Sequence, residues 1–162
     1  FKMPFLMFGS KISLKAEGLS LLTAKLELID ANGKVLAQGT ASNPLDNDLT
    51  INVSSLKSGA TYFVRVSGAK DDVFGIGSYK LDVNNYGLLG SVLGLVNLLS
   101  TELGLNDTLS AATGLVSSAL SLGSRADYVV RASLLGPTDL DYYRIHSPEA
   151  LPGQPVHLIA AV

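Results

Sequence analysis

Two stretches alternate their side chains with a period of two, and that period limits what the chain can fold into. Thr61-Tyr62-Phe63-Val64-Arg65-Val66 sets Tyr62, Val64 and Val66 on one side and Phe63 and Arg65 on the other. Asp141-Tyr142-Tyr143-Arg144-Ile145 sets Tyr143 and Ile145 against Tyr142 and Arg144 in the same way. Both read as half-buried strands, and apolar strand faces need a second layer to cover them.

The rest of residues 1–85 carries the same pattern. Pro4–Phe8 and Lys11–Ala16 read as short strands broken at Gly9-Ser10. Ala24–Asp30 places Leu26 and Leu28 opposite Lys25 and Glu27. Asn32-Gly33 then leads to Val35-Leu36-Ala37, and Asn-Gly between apolar runs signals a hairpin because both residues tolerate positive φ. Leu49, Ile51 and Val53 follow a polar loop at Asn43–Asp48; Tyr79, Leu81 and Val83 follow a loop with Asp71-Asp72. Ala126–Leu134 and Val156–Val162 read as later strands. The expected fold class is therefore mainly β, an antiparallel β-sandwich.

At residue 84 the character changes. From Val83 to Thr101 no residue is charged, and Leu88–Leu99 is rich in Leu and Gly. Crossing a membrane takes about 20 predominantly apolar residues. Gly, Ser and Asn dilute this run, so it reads as a helix packed on the sandwich and not as a span. A second helix is expected from a cap at Asn106 or Asp107, through Leu109, Ala112, Leu115 and Val116, to Gly123-Ser124.

Charge and residue usage exclude several functions. Charged residues are 16% of the chain and the net charge is −2, without the concentrated basic footprint that nucleic acid needs. There is no cysteine, hence no disulfide scaffold and no cysteine zinc site. His146 and His157 belong to no metal-ligand spacing, and no serine sits in a nucleophile elbow. No catalytic constellation is present in the sequence. Gly75-Ile76-Gly77 is too short for a dinucleotide fingerprint and reads as a permissive loop. The chain starts at Phe1 and stops inside a strand-like run, so it reads as an excerpt from a longer protein.

Asn106-Asp107-Thr108 with Ala112-Thr113-Gly114-Leu115, and then Asp139-Leu140-Asp141-Tyr142-Tyr143, resemble the opening elements of the bacterial pre-peptidase C-terminal domain. Asp30-Ala31-Asn32-Gly33, Gly59–Val66 and Gly77–Val83 resemble its later elements. Gly104-Leu105 stands where that family tends to have Glu-Pro. The back half thus precedes the front half. On this resemblance 1–85 is the C-terminal part of a first domain, 86–103 an apolar, helical connector, and 104–162 the truncated N-terminal part of a second. The resemblance implies a jelly-roll-like sandwich in a secreted bacterial protein. It also implies a non-catalytic accessory or binding module, beside a peptidase, that aids secretion, folding or substrate attachment. The alternative is a structural adhesion repeat of a large cell-surface protein. Neighbouring domains of the same polypeptide, and an extracellular protein or polysaccharide, are the partners implied.

Asp139 and Asp141 lie two apart at a strand entrance, where oxygen ligands suit Ca²⁺. The resemblance adds Asp107 to that candidate metal set. The competing reading makes Asp107 a helix cap and the other two loop acids that satisfy backbone N–H groups. Phe63 and Tyr142 fall opposite the core faces, either as an exposed aromatic binding platform or covered by the 86–122 helices. Because 1–85 and 125–162 each lack the other's strands, the Tyr143 strand is expected to pair with residues 60–83 and close one permuted sandwich.

Overall fold

In the computed structural model the alternating stretches are strands. They run β1 (Lys15–Ala16), β2 (Ala24–Asp30), β3 (Val35–Thr40), β4 (Thr50–Leu56), β5 (Thr61–Gly68) and β6 (Gly77–Tyr86). After these come β7 (Leu99–Thr101), β8 (Thr113–Gly114), β9 (Arg125–Leu134), β10 (Leu140–His146) and β11 (Val156–Ala161). The structure describes residues 15–16, 20–57, 59–86, 99–101, 105–116, 125–147 and 156–161. The expected strand at Pro4–Phe8 lies outside them.

One sheet has the order β3-β2-β5-β10-β8; the other has β4-β11-β6-β9-β7, with β1 also on β6. The ladders are antiparallel except for the short β7 on β9 and β8 on β10, which are parallel. The strands on either side of the connector do complete one another. Tyr143 lies opposite Val64 and Ile145 opposite Tyr62. β9 runs along β6 from Gly77–Leu134 to Tyr86–Arg125.

Alternation decides what the sheets share. Leu26 and Leu28 of β2, Val64 and Val66 of β5, and Tyr143 and Ile145 of β10 face Tyr79, Leu81 and Val83 of β6 and Val130 of β9 in one buried cluster. Burying each such side chain stabilises the fold by about 1.5–3 kcal/mol. The β2–β3 hairpin turns where Asn-Gly predicts it. Gly33 takes φ +82°, and the Asp30 carboxylate accepts from the N–H groups of Asn32 (2.8 Å) and Lys34 (2.9 Å). The loop between β5 and β6 closes backbone on backbone: a Cβ on Gly68 would stand 2.8 Å from Gly75, and one on Gly75 2.4 Å from the Lys70 carbonyl.

The second expected helix is where the expectation and the structure part. Leu99–Thr101 is strand, and the segment expected as a second helix holds one 3-10 turn, Leu109–Ala111, followed by β8. Thr108, not Asn106 or Asp107, caps that turn, its hydroxyl accepting from the Ala111 N–H at 3.2 Å. The helical spacing of Leu109, Ala112 and Leu115 misleads because the edge of β10 takes the chain after a single turn. The Leu115 N–H donates to the Arg144 carbonyl at 3.0 Å, and the Leu115 side chain joins the core. Residues 87–98 and 117–124 lie outside the described residues.

Candidate functional site

The period of β10 sends Asp141 inward with Tyr143 and Ile145, so a carboxylate enters the core at 1% exposure. Its partner comes from the opposite sheet. The Tyr79 hydroxyl donates to Asp141 Oδ2 and lies 2.6 Å from the Tyr143 hydroxyl. Burial pushes the Tyr79 phenol well above its ordinary value, and the neighbouring Tyr143 and Asp141 push in the same direction. A buried carboxylate holds its place only with hydrogen-bond donors. This cluster therefore ties β6 of the first half to β10 of the second.

The three candidate calcium acids stand in different surroundings. Asp141 is the core acceptor just described. Asp139 is half-buried and accepts from the Leu135 N–H at 2.6 Å, closing the turn before β10. Asp107 is exposed. Among the described residues no three His, Asp or Glu side chains are grouped to hold a metal ion. The neighbour of Asp107 carries the structural load there. Asn106 is 1% exposed, its backbone carbonyl accepts from the Tyr142 N–H at 3.0 Å, and its Nδ2 donates to the Tyr142 carbonyl at 3.1 Å. His146 is exposed, with Nδ1 3.0 Å from the Thr61 hydroxyl. The side chain of His157 lies outside the described residues.

The outer face of the β2-β5-β10 sheet carries a polar row that sequence inspection alone did not register. Glu27, Arg65 and Tyr142 stand side by side across the three strands. Arg65 pairs with Glu27, donates from Nη1 to the Tyr142 hydroxyl at 2.8 Å, and lies 5.5 Å from the centre of the Tyr142 ring. Lys25 approaches Glu27 at 2.8 Å. Tyr142 is consequently buried, and Phe63 on the same face is half-buried. Of the two alternatives, an exposed platform or a covered face, Tyr142 takes the covered one, its ring beneath Arg65. The signal was present as unlike charges on outward positions of β2 and β5, but the register that brings them together is not written in either strand.

Burial would raise the Glu27 carboxyl, yet hydrogen bonds from Lys25 and Arg65 and their charges outweigh it and hold the group below its ordinary value of 4.5. With the folded value depressed, the stability from this row is complete above that ordinary value and is lost as pH falls through the lowered one. Arg65→Ala is expected to cost about 1–3 kcal/mol by leaving Glu27 short of donors, and to flatten this acid limb. Urea midpoints of both proteins between neutral and acid pH check it.

At one end of the sandwich Leu21, Val73, Phe74 and Ile76 line a shallow cleft with Ser20 and Ser78. All four apolar side chains are partly exposed. No helix among the described residues is long and apolar enough to cross a membrane.

Residues 10–74, less than half of the chain, match the family described as the secretion system C-terminal sorting domain. Within the described residues the match takes in β1 to β5 and runs to Phe74 in the loop before β6. No curated protein and no solved structure matches the chain. The similarity is to a sorting domain. The chain is that of an exported bacterial protein, secreted or held at the cell surface.

Proposed function

We propose that this chain is a non-catalytic accessory module of a larger exported protein, a peptidase, and that it assists sorting, folding or attachment of that host. The observation that carries this reading is the use made of the reactive side chains. Asp141, Tyr79 and Tyr143 tie the two sheets, while Glu27 and Arg65 brace one outer face. The sorting-domain match over 10–74 supports the export part, and the resemblance of Asp139–Tyr143 and Gly77–Val83 to the pre-peptidase C-terminal domain supports the peptidase host. The cleft at Leu21, Val73, Phe74 and Ile76 offers apolar surface for a neighbouring domain or an extracellular protein.

A reporter enzyme fused ahead of residues 1–162, in a bacterium that exports proteins of the sorting-domain family, is expected to reach the surface or the medium. Retention inside the cell removes the sorting role. The isolated chain is expected to cleave neither casein nor chromogenic glycosides. Hydrolysis that disappears on a single substitution in this chain would replace the accessory reading with an enzymatic one.

Calcium belongs to the same proposal. On this reading Asp139 and Asp141 serve the fold and Asp107 stands exposed, so millimolar Ca²⁺ leaves the unfolding midpoint where it is. A ligand that binds only the folded state raises that midpoint by mass action. A rise that a chelator reverses and Asp107→Ala abolishes would return these acids to a cation.

A further inference from the structure

Exposed apolar surface gathers at one end of the sandwich. Among the described residues ten large apolar side chains stand exposed, and six of them are Leu21, Leu45, Val73, Phe74, Ile76 and Leu135. The registers bring these six together. Ala24 faces Gly68, Lys25 faces Thr40 and Gly77 faces Leu134, so β2 and β6 start where β3, β5 and β9 stop. The Thr23 N–H donates to the Phe74 carbonyl at 2.6 Å, and Asn47 Nδ2 donates to the Leu22 carbonyl at 2.9 Å. The segment before β2 and the loops after β3, β5 and β9 therefore share that end.

The turns hold these side chains outward. The N–H of Leu45 donates to Asn43 Oδ1 at 2.9 Å, that of Phe74 to Asp72 Oδ1 at 2.9 Å, and that of Leu135 to Asp139 Oδ2 at 2.6 Å. Loops closed in this way are already ordered, so little freedom is lost when a partner arrives. The charge in the same loops is one-sided. Asp46, Asp48, Asp71, Asp72 and Asp139 stand against Lys70 alone, five acids to one base, in a chain whose net charge is −2. A second copy would bring the same acids against these, and an anionic bilayer would repel them. Charge complementarity selects a partner that is apolar and basic.

We propose that this end docks a basic amphipathic helix of a protein partner. The helix lays its apolar stripe in the cleft of Leu21, Val73, Phe74 and Ile76, and its Lys or Arg side chains meet the acids of the neighbouring loops. The proposal rests on the reading of the cleft as a surface for another protein, and it names the chemistry of that protein. The apolar contact supplies most of the affinity, and the acids set the sign of the charge that is accepted.

The probe is a synthetic Leu/Lys peptide, about five helical turns long, with a single apolar stripe. One control keeps the stripe and replaces Lys by Glu; the other permutes the Leu/Lys sequence so that no stripe forms. In calorimetric titrations of the full chain the Leu/Lys helix is expected to bind about tenfold or more tightly than either control. Leu21→Ser with Val73→Ser, both exposed cleft residues, is expected to weaken it by about tenfold or more. Asp46→Asn with Asp71→Asn is expected to weaken it and to flatten its loss with salt, since screening shortens from about 10 Å at 0.1 M to about 3 Å at 1 M. Val35→Ser with Leu36→Ser, at the other end of β3, is expected to change nothing. A Leu/Lys helix that binds no better than its controls overturns the proposal, as does an equal loss in the Val35/Leu36 variant. Uptake of the chain by phosphatidylcholine vesicles, lost in the Leu21/Val73 variant, gives the end to a bilayer and overturns it too. A reporter fusion that still reaches the surface while the peptide fails removes this partner and leaves the sorting role standing.

Discussion

Tyr143→Ala is expected to destabilise the fold by roughly 3–5 kcal/mol, the range for removing a large buried aromatic side chain. Tyr143 has no exposed surface and belongs to the same buried cluster as Tyr79 and Val64. A domain of this size holds about 5–15 kcal/mol in all, so the loss takes much of its margin. Tyr143→Phe keeps the ring and removes only the hydroxyl that meets Tyr79, and about 1 kcal/mol is expected for it. Because the side chain joins strands from both ends of the sequence, the urea transition should move for both halves together. A cost below about 1 kcal/mol for Tyr143→Ala, or melting confined to residues 125–161, would contradict a shared core.

The second large effect is alkaline. Tyr79 is buried and its phenol is raised well above the ordinary value of 10, first by burial and then by Tyr143 and Asp141. In the unfolded chain the same phenol ionises near its ordinary value. The stability this group contributes is therefore complete below about pH 10 and is lost as pH rises toward the folded value. Across that window Tyr79 alone removes about 1.4 kcal/mol per pH unit. Tyr79→Phe is less stable at neutral pH because Asp141 loses a donor, but its stability falls less steeply above pH 10. Urea midpoints from neutral to strongly alkaline pH separate the two slopes, and equal slopes would mean that Tyr79 ionises freely in the folded protein.

What the sequence made legible was whatever depends on local periodicity. The faces of β2, β5, β6 and β10 follow from alternation, and the Asn32-Gly33 turn follows from its backbone tolerance. Pairing of the Tyr143 strand with the Tyr62 strand was also legible, since each half carried an apolar face without a partner. The stretch after Asp107 was not. Leu109, Ala112 and Leu115 have a spacing that suits a helix, and only the free edge of β10 decides that the chain runs beside it instead. The roles of the polar residues were hidden for a similar reason. Asp141 reads as a cation ligand or a loop acid until the opposite sheet supplies Tyr79, and Tyr142 as an exposed or a covered aromatic until Arg65 is placed over it.

A double-mutant cycle on Tyr79→Phe and Tyr143→Phe tests most directly whether the two ends of the chain share one core. These hydroxyls stand 2.6 Å apart, one on β6 among the early strands and the other on β10 among the late ones. Contacting residues couple by about 0.5–3 kcal/mol, whereas distant ones add to within about 0.3–0.5 kcal/mol. A single sandwich requires a coupling of at least about 0.5 kcal/mol between the two substitutions. Strict additivity, with each substitution affecting only the strands of its own half, would show that the early and late strands belong to separate sheets.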